Sequence, residues 1–368
     1  MEKIMQEIAV LGAGNLGLAM CAHLALEGHS VRLWNRTRSR IRRLQETKSI
    51  RCTGAVKGTA KLQLVTDNIE EALDGVKLIL VTTPADSHRE IAQIMAQHLS
   101  DTKTVVLNPG RTFGVVEVEH ILSEYNVPVM PIVSETQTVV YTCRKTADDA
   151  VVIISIKEQV LISTRRSSDS KNLLDQLPSC LSRQLIIADS LWQTSLGNIG
   201  AILHCVPTLL NTGWIENKKV DFKYYYDGIT PTIAKYLERL DRERQEIGTR
   251  FNIKLESIAD WMRRSYRIKG GNLFECLQNN IYYQTIEAPG SLRHRYLFED
   301  IPCGLVPFEA LGKLAGVKMT FIPEIIDMAS HLLDYDFRAN GRTLERLGFI
   351  NPTIQQIIQE MTPEHSIS

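Results

Sequence analysis

Gly12, Gly14 and Gly17 fall in the run IAVLGAGNLG, residues 8–17, where a short apolar segment opens into a GxGxxG spacing. That spacing suits a pyrophosphate. The first glycine permits a tight turn off a strand, the second lets phosphate reach the backbone, and the third lets the next helix pack closely. The free N–H groups at the helix start, those of Asn15 and Leu16 among them, then face the anion with the positive end of the helix dipole behind them. The spacing alone is weak evidence. Here a strand over 8–11 precedes it and an amphipathic helix over about 15–27 follows, which is the context a dinucleotide site needs.

A second strand, 30–34, ends where such a fold selects its ribose. A carboxylate at that point would accept a hydrogen bond from the 2′-OH of NAD. This chain instead has Asn35-Arg36-Thr37, followed by Arg38, Arg40, Arg42 and Arg43. A guanidinium, an amide and a hydroxyl suit a 2′-phosphate. The reading is NADPH (NADP) in preference to NADH (NAD), with Arg36 and Thr37 as main contacts and Asn35 and Arg40 assisting. The same arginines would also serve as a solvated helix face.

Hydride transfer needs a proton to balance it, and histidine titrates nearest neutrality. Among nine histidines, His204 stands out in NIGAILHCVPTLLNTG, residues 198–213, an otherwise apolar helical stretch. A core histidine satisfied by its neighbours would fit that pattern too. Asp300 lies in RHRYLFEDIPCGLVP, residues 293–307, within a Glu-Asp pair ahead of Ile-Pro. By itself it is equally a helix cap or a turn residue.

These groups need a frame. Strands are expected at 8–11, 30–34, 62–65, 77–82, 103–107, 128–132 and 151–156, with helices at 15–27, 37–47, 69–73, 87–99 and 115–124. Alternating βα units imply a mostly parallel sheet with helices on both faces. Ligand groups should follow the carboxyl ends of its strands. Three segments stand there: 80–85 with Thr83 and Pro84, 107–110 with Asn108, and 133–138 with Glu135 and Thr136. From about Asp189 helical periods dominate, at 190–213, 229–251, 254–265, 272–280, 305–316 and 320–334. The expected architecture is α/β: a Rossmann-type dinucleotide-binding domain over 1–187, then a mostly α-helical substrate and catalytic domain over 188–368. The stretch 353–368 reads as a short apolar helix with a polar, fraying end.

Composition narrows the partners. Lys+Arg and Asp+Glu are both 42, which argues against nucleic acid or an anionic membrane. Seven cysteines without CxxC spacing read as reduced cytoplasmic thiols, not a disulfide frame or a metal site. No signal-peptide pattern opens the chain, and no apolar run approaches the ~18 residues a membrane helix needs.

Taken together, the glycine loop, Glu135-Thr-Gln-Thr138, GNIGAILHCVPTLLNTG, RYLFEDIPCGLVP and Leu311-Gly-Lys-Leu-Ala-Gly-Val317 resemble the octopine/nopaline (opine) dehydrogenase family across nearly the whole chain. The resemblance implies joining an amino acid to a 2-oxo acid and reducing the product with NAD(P)H. It also implies two domains closing over a cleft, and a homodimer. It carries a catalytic His-Asp pair onto His204 and Asp300, and a carboxylate-binding arginine, five residues before the aspartate, onto Arg295. Glu135 and Thr136, at the sheet edge, would reach the amino acid. No metal is implied. The family's NADH-using members would be expected to carry an acidic residue at the end of the second strand, and Asn35-Arg36-Thr37 departs from that.

Two other readings stand beside this one. A 2-oxo or 3-hydroxy acid reductase would use NADPH without an amine, but such enzymes often place a lysine in the helical domain, and 190–213 has none. A non-catalytic NADPH sensor would have no use for a His, Asp and Arg set.

Overall fold

The computed structural model describes residues 5–99, 104–170, 172–217 and 219–361. The chain forms two compact units. The first holds the described residues up to Gly110 and from Gly114 to Ser190; the second holds Arg111–Phe113 and the residues from Leu191 onward.

The first unit is built on an eight-stranded sheet. Its strands are β1 (Glu7–Leu11), β2 (Ser30–Trp34), β5 (Leu64–Thr66), β6 (Leu78–Val81), β7 (Thr104–Leu107), β8 (Ile132–Thr136), β11 (Val160–Thr164) and β12 (Leu185–Ile187). The order is β12-β11-β8-β7-β6-β1-β2-β5. Neighbours run parallel except where β11 meets β8. Central strands such as β6 and β7 are buried at every position, and their sequences LILV and TVVL are nearly continuous apolar runs, as a sheet covered on both faces requires.

A second sheet was not expected. It joins β3 (Ser49–Gly54), β4 (Gly58–Lys61), β9 (Tyr141–Ala147) and β10 (Ala150–Ile156) in the order β4-β3-β10-β9. The helix Asn15–Leu26 packs against both sheets, so every residue from Leu16 to Leu24 is buried. The expectation of an amphipathic helix is corrected: a helix covered all round has no need of a polar face.

The strand expected at 128–132 lies later, at 132–136. Pro128 and Pro131 lack the N–H a ladder strand needs, so pairing starts only after Pro131. Glu135 and Thr136 therefore form the carboxyl end of β8 itself, between β7 and β11, with Glu135 level with Leu107 at the end of β7, and do not lie in a loop beyond the strand.

The second unit is helical. The stretch expected as one helix over 190–213 breaks into Leu191–Ser195, Gly200–Leu210 and Thr212–Glu216, with the first break at Gly197-Asn198. The long helix Pro231–Arg250 opens with proline in its first turn and the Thr230 hydroxyl accepting from the Ile233 N–H. Buried Glu243 accepts from the N–H groups of Thr320, Phe321 and Ile322, at 2.5–2.9 Å, and so caps the helix Phe321–Leu333. Trp192 stacks on Phe251 at 4.8 Å and meets Phe113 edge-on at 5.7 Å. The helix Ile354–Met361 is ordered, with Ile357 and Met361 buried; the polar end expected to fray lies outside the described residues.

Candidate active site

Strands β1, β2, β6 and β7 run parallel, so Gly12, Asn35, Thr82 and Asn108 leave the sheet along one edge. Gly12 turns the chain with φ +114°, which side chains rarely adopt. A Cβ on Gly17 would collide with the Gly12 carbonyl, so the helix sits on the loop only because residue 17 is glycine. Gly14 faces open space: a Cβ there would meet nothing within 4 Å. The Thr83 hydroxyl beside Gly12 is buried without a hydrogen-bond partner. An open glycine backbone at a helix start, no acid in the first helical turn, and an unsatisfied hydroxyl fit a dinucleotide.

Several expected contacts prove to be braces. Asn35 Oδ1 accepts from the Ala13 N–H at 3.1 Å and its amide donates to the Thr37 carbonyl at 3.0 Å. Asn35 therefore shapes the glycine loop. Asn15 Oδ1 accepts from the Lys145 N–H at 2.9 Å and ties the loop to β9. The Leu16 side chain is buried. Asn108 is buried and donates to the Val106 carbonyl at 3.0 Å. Arg36, Thr37, Arg40 and Pro84 are exposed, and Arg36 pairs with Glu90 from the helix His88–Ala96. With side chains 62% and 46% exposed, that pair adds little stability and exchanges readily for another anion. Glu135 is fully buried, and its carboxylate accepts from the Val115 N–H at 3.1 Å, at the start of the helix Gly114–Glu124. Thr136 donates to the Leu107 carbonyl at 3.3 Å.

In the second unit His204 and Asp300 come together across 96 residues of chain. His204 projects from the helix Gly200–Leu210, and its Nδ1 lies 2.7 Å from Asp300 Oδ2. Its Nε2 lies 3.1 Å from the Tyr225 hydroxyl. The ring stacks on Tyr296 at 4.1 Å and 14°. Tyr225 stacks in turn on Tyr283 at 4.2 Å. Asp300 precedes a wide π-helical turn, Ile301–Leu305, in which the Leu305 N–H donates to the Asp300 carbonyl at 3.2 Å. Such turns recur at functional sites.

Charge is concentrated beneath this pair. Arg111 donates through Nε to Glu299 at 2.9 Å and through Nη1 to Asn198 at 3.3 Å, and the same Nη1 is 3.3 Å from Asp300 Oδ1. Arg295 keeps its side chain 53% exposed, 3.8 Å from Glu299 and over the Tyr296 ring. Burial lowers the His204 pKa below the usual imidazole value, and Asp300 only partly offsets this. Burial would raise Asp300, but the charges of Arg111 and His204 hold it below the usual carboxylate range. Burial pushes the Tyr225 phenol well above its usual value. Asp300 is thus a carboxylate at neutral pH, His204 carries its proton on Nδ1, and Tyr225 donates to Nε2.

The sequence reading joined His204, Asp300 and Arg295, and the structure brings them into one cluster. It missed Arg111, Asn198 and Tyr225. Arg111 follows the noted 107–110 segment directly, and Tyr225 sits in the triple KYYYDG, but neither spacing signals a partner far along the chain.

Comparison with known proteins agrees with both halves. Residues 187–333 match the NAD/NADP octopine/nopaline dehydrogenase alpha-helical domain, and residues 7–124 match the NAD-dependent glycerol-3-phosphate dehydrogenase N-terminus. An opine dehydrogenase of Arthrobacter sp. (strain 1C) is 37% identical over 92% of this chain and 94% of its own. A vitopine synthase of Allorhizobium ampelinum is 25% identical over 95% and 97%. An octopine dehydrogenase solved with NADH and agmatine has the same fold, with TM-score 0.77 at 18% identity over 98% of this chain and all of that one. A yersinopine dehydrogenase solved with NADP+ gives TM-score 0.72 at 13% identity over 98% and 99%. With a nucleotide edge in one unit and a His-Asp pair in the other, the chain belongs to the opine dehydrogenase family of NAD(P)-dependent oxidoreductases.

Proposed function

We propose that reductive condensation of an L-amino acid with a 2-oxo acid, the reaction of this family, runs in this chain on His204, Asp300 and Arg295 with NADPH as preferred reductant. The observation that carries the reading is the part-buried 2.7 Å contact between His204 Nδ1 and Asp300, which commits one ring nitrogen and reserves the other for proton exchange. Condensation of amine and carbonyl gives an imine and releases water. When bound, the dinucleotide supplies the hydride that reduces the former carbonyl carbon.

The chain's own residues handle the protons. Nε2 of His204 takes a proton from the substrate ammonium, which frees the amine to attack, and returns one as water leaves. Asp300 fixes the tautomer and stabilises the imidazolium that forms in between. Tyr225 holds the Nε2 lone pair until substrate takes its place. The half-exposed Arg295 guanidinium, only 3.8 Å from Glu299, has donors left for the oxo-acid carboxylate.

Arg36 with Thr37 and Arg40 favours NADPH, since no carboxylate ends β2 and the Arg36–Glu90 pair is exposed enough to yield to a 2′-phosphate. A cytoplasmic location suits the seven cysteines, all free thiols. Glu135 and Thr136, both buried in an interior strand, are not carried forward as substrate contacts.

The test is NADPH oxidation with a panel of 2-oxo acids, each with and without mixed L-amino acids. Turnover requiring both supports the reading. Equal turnover without an amine would place the chain among simple oxo-acid reductases.

A further inference from the structure

Glu299 and Asp300 are adjacent acids, 1% and 0% exposed. Two buried neighbours cannot both ionise without a cation close by. Arg295 approaches only Glu299, at 3.8 Å, and stands half in solvent. Asp300 gives Oδ2 to His204, while its Oδ1 has no hydrogen bond and relies on the Arg111 charge at 3.3 Å. The other titratable groups around the pair are the phenols of Tyr225 and Tyr296 and the thiols of Cys205 and Cys303, and burial pushes Tyr225 and Cys205 well above their usual values.

We propose that Arg111 is a positioning residue of this centre: bridging Glu299, Asp300 and Asn198, it keeps Asp300 a carboxylate in the rotamer that fixes His204. The inference rests on His204 as the proton-handling group. Protonated, Asp300 would no longer hold the Nδ1 proton, and the ring would lose its tautomer.

The local backbone is arranged around this guanidinium. Arg111 and Phe113 both adopt φ +60°, which non-glycine residues rarely do. Between them Thr112 is pinned: its N–H donates to the Cys303 carbonyl at 3.0 Å, its hydroxyl to the Ser195 carbonyl at 3.1 Å, and its own carbonyl accepts from Arg342 at 2.9 Å. A Cβ on Gly200 would collide with Arg111 Nη1. Glycine at the start of the His204 helix therefore makes room for Arg111.

The experiment compares wild type with Arg111→Met, Arg111→Lys and Gly200→Ala. Turnover is measured against pH, and the His204 imidazole is titrated separately by NMR in enzyme with labelled histidine. Removing a positive charge raises proton affinity in the His204–Asp300 pair as a unit. Arg111→Met should move the His204 titration and the matching limb of the rate profile up by about one pH unit or more. Its kcat should fall at least tenfold with NADPH binding unchanged. Arg111→Lys should keep the titration near wild type while recovering only part of kcat. Gly200→Ala, which displaces the guanidinium without removing it, should fall between. If Arg111→Met does not fold, Gly200→Ala and Arg111→Lys decide. A wild-type His204 titration in Arg111→Met, or in Gly200→Ala where Arg111→Met does not fold, would overturn the proposal, whatever the loss of rate. The NMR titration does not depend on turnover, so it judges Arg111 even if no substrate pair is found and the proposed function fails.

Discussion

At the glycine edge of the first unit the working groups are main-chain N–H groups and empty space, whereas around His204 they are side chains held by other side chains. Gly14 contributes by having nothing in front of it, and Gly17 by letting a helix touch the Gly12 carbonyl. His204 is held instead by Asp300, Tyr225 and Tyr296, drawn from two separate segments. The first device comes from a single short segment and is set by absence of bulk. The second is set by charge and aromatic contact and exists only once the helical unit has folded. The two regions should therefore break in different ways.

The largest effect belongs to the side-chain device. His204→Asn should lower kcat by ~10²–10⁴-fold while NADPH still binds, checked by steady-state kinetics beside fluorescence titration of the cofactor. Wild type should show the matching pH signature. Because burial lowers the His204 pKa, the limb it contributes in free enzyme lies below about 6.5. Both directions start on the neutral ring, which takes a proton from the substrate ammonium in condensation and from the opine's secondary ammonium in oxidation, so each should rise with pH through that limb. Loss of the limb in His204→Asn assigns it; its persistence would move the acid-base role elsewhere.

Next come the glycines, which test whether the first unit works through space. Gly17→Val should cost about 1–3 kcal/mol or more through collision with the Gly12 carbonyl, seen as a lower Tm. Gly14→Val should leave stability within about 0.5 kcal/mol yet weaken NADPH at least tenfold. If both variants lost stability alike, the open cradle at Gly14 would not be one.

Smaller still is Arg36→Ala, expected to lower kcat/KM for NADPH by roughly tenfold, in line with a lost charge-assisted contact, and to leave NADH unchanged. Equal losses with both cofactors would mean that Arg36 only answers Glu90. The smallest is Tyr225→Phe. It removes one hydrogen bond to Nε2 and should cost about fivefold in kcat; a loss as deep as that of His204→Asn would make the phenol itself the proton donor.

The same contrast explains what the sequence makes visible. A glycine spacing is read directly because the turn, the approach and the packing all fall within residues 12–17. The loop-shaping contact of Asn35 was not legible because an amide that completes a loop and one that meets a phosphate look alike until the Ala13 contact is seen. The small second sheet was missed because β4 is four residues long and polar, and because β9, YTCRKTA, pairs by backbone and not by apolar pattern. His204 and Asp300 were each noticeable in context, but their pairing was legible only through family resemblance. Arg111 carries no local mark at all, since its partners lie 87–189 residues away and charge pairing leaves no periodicity in a chain.

The most direct test of the whole account is the fate of the amine nitrogen. Wild-type enzyme is supplied with NADPH, a 2-oxo acid and an amino acid carrying 15N, and the product is identified by mass spectrometry. The account predicts one secondary amine dicarboxylate that retains the label and forms in step with NADPH consumed. A 2-hydroxy acid formed at the same rate, with the labelled amino acid left intact, would contradict it.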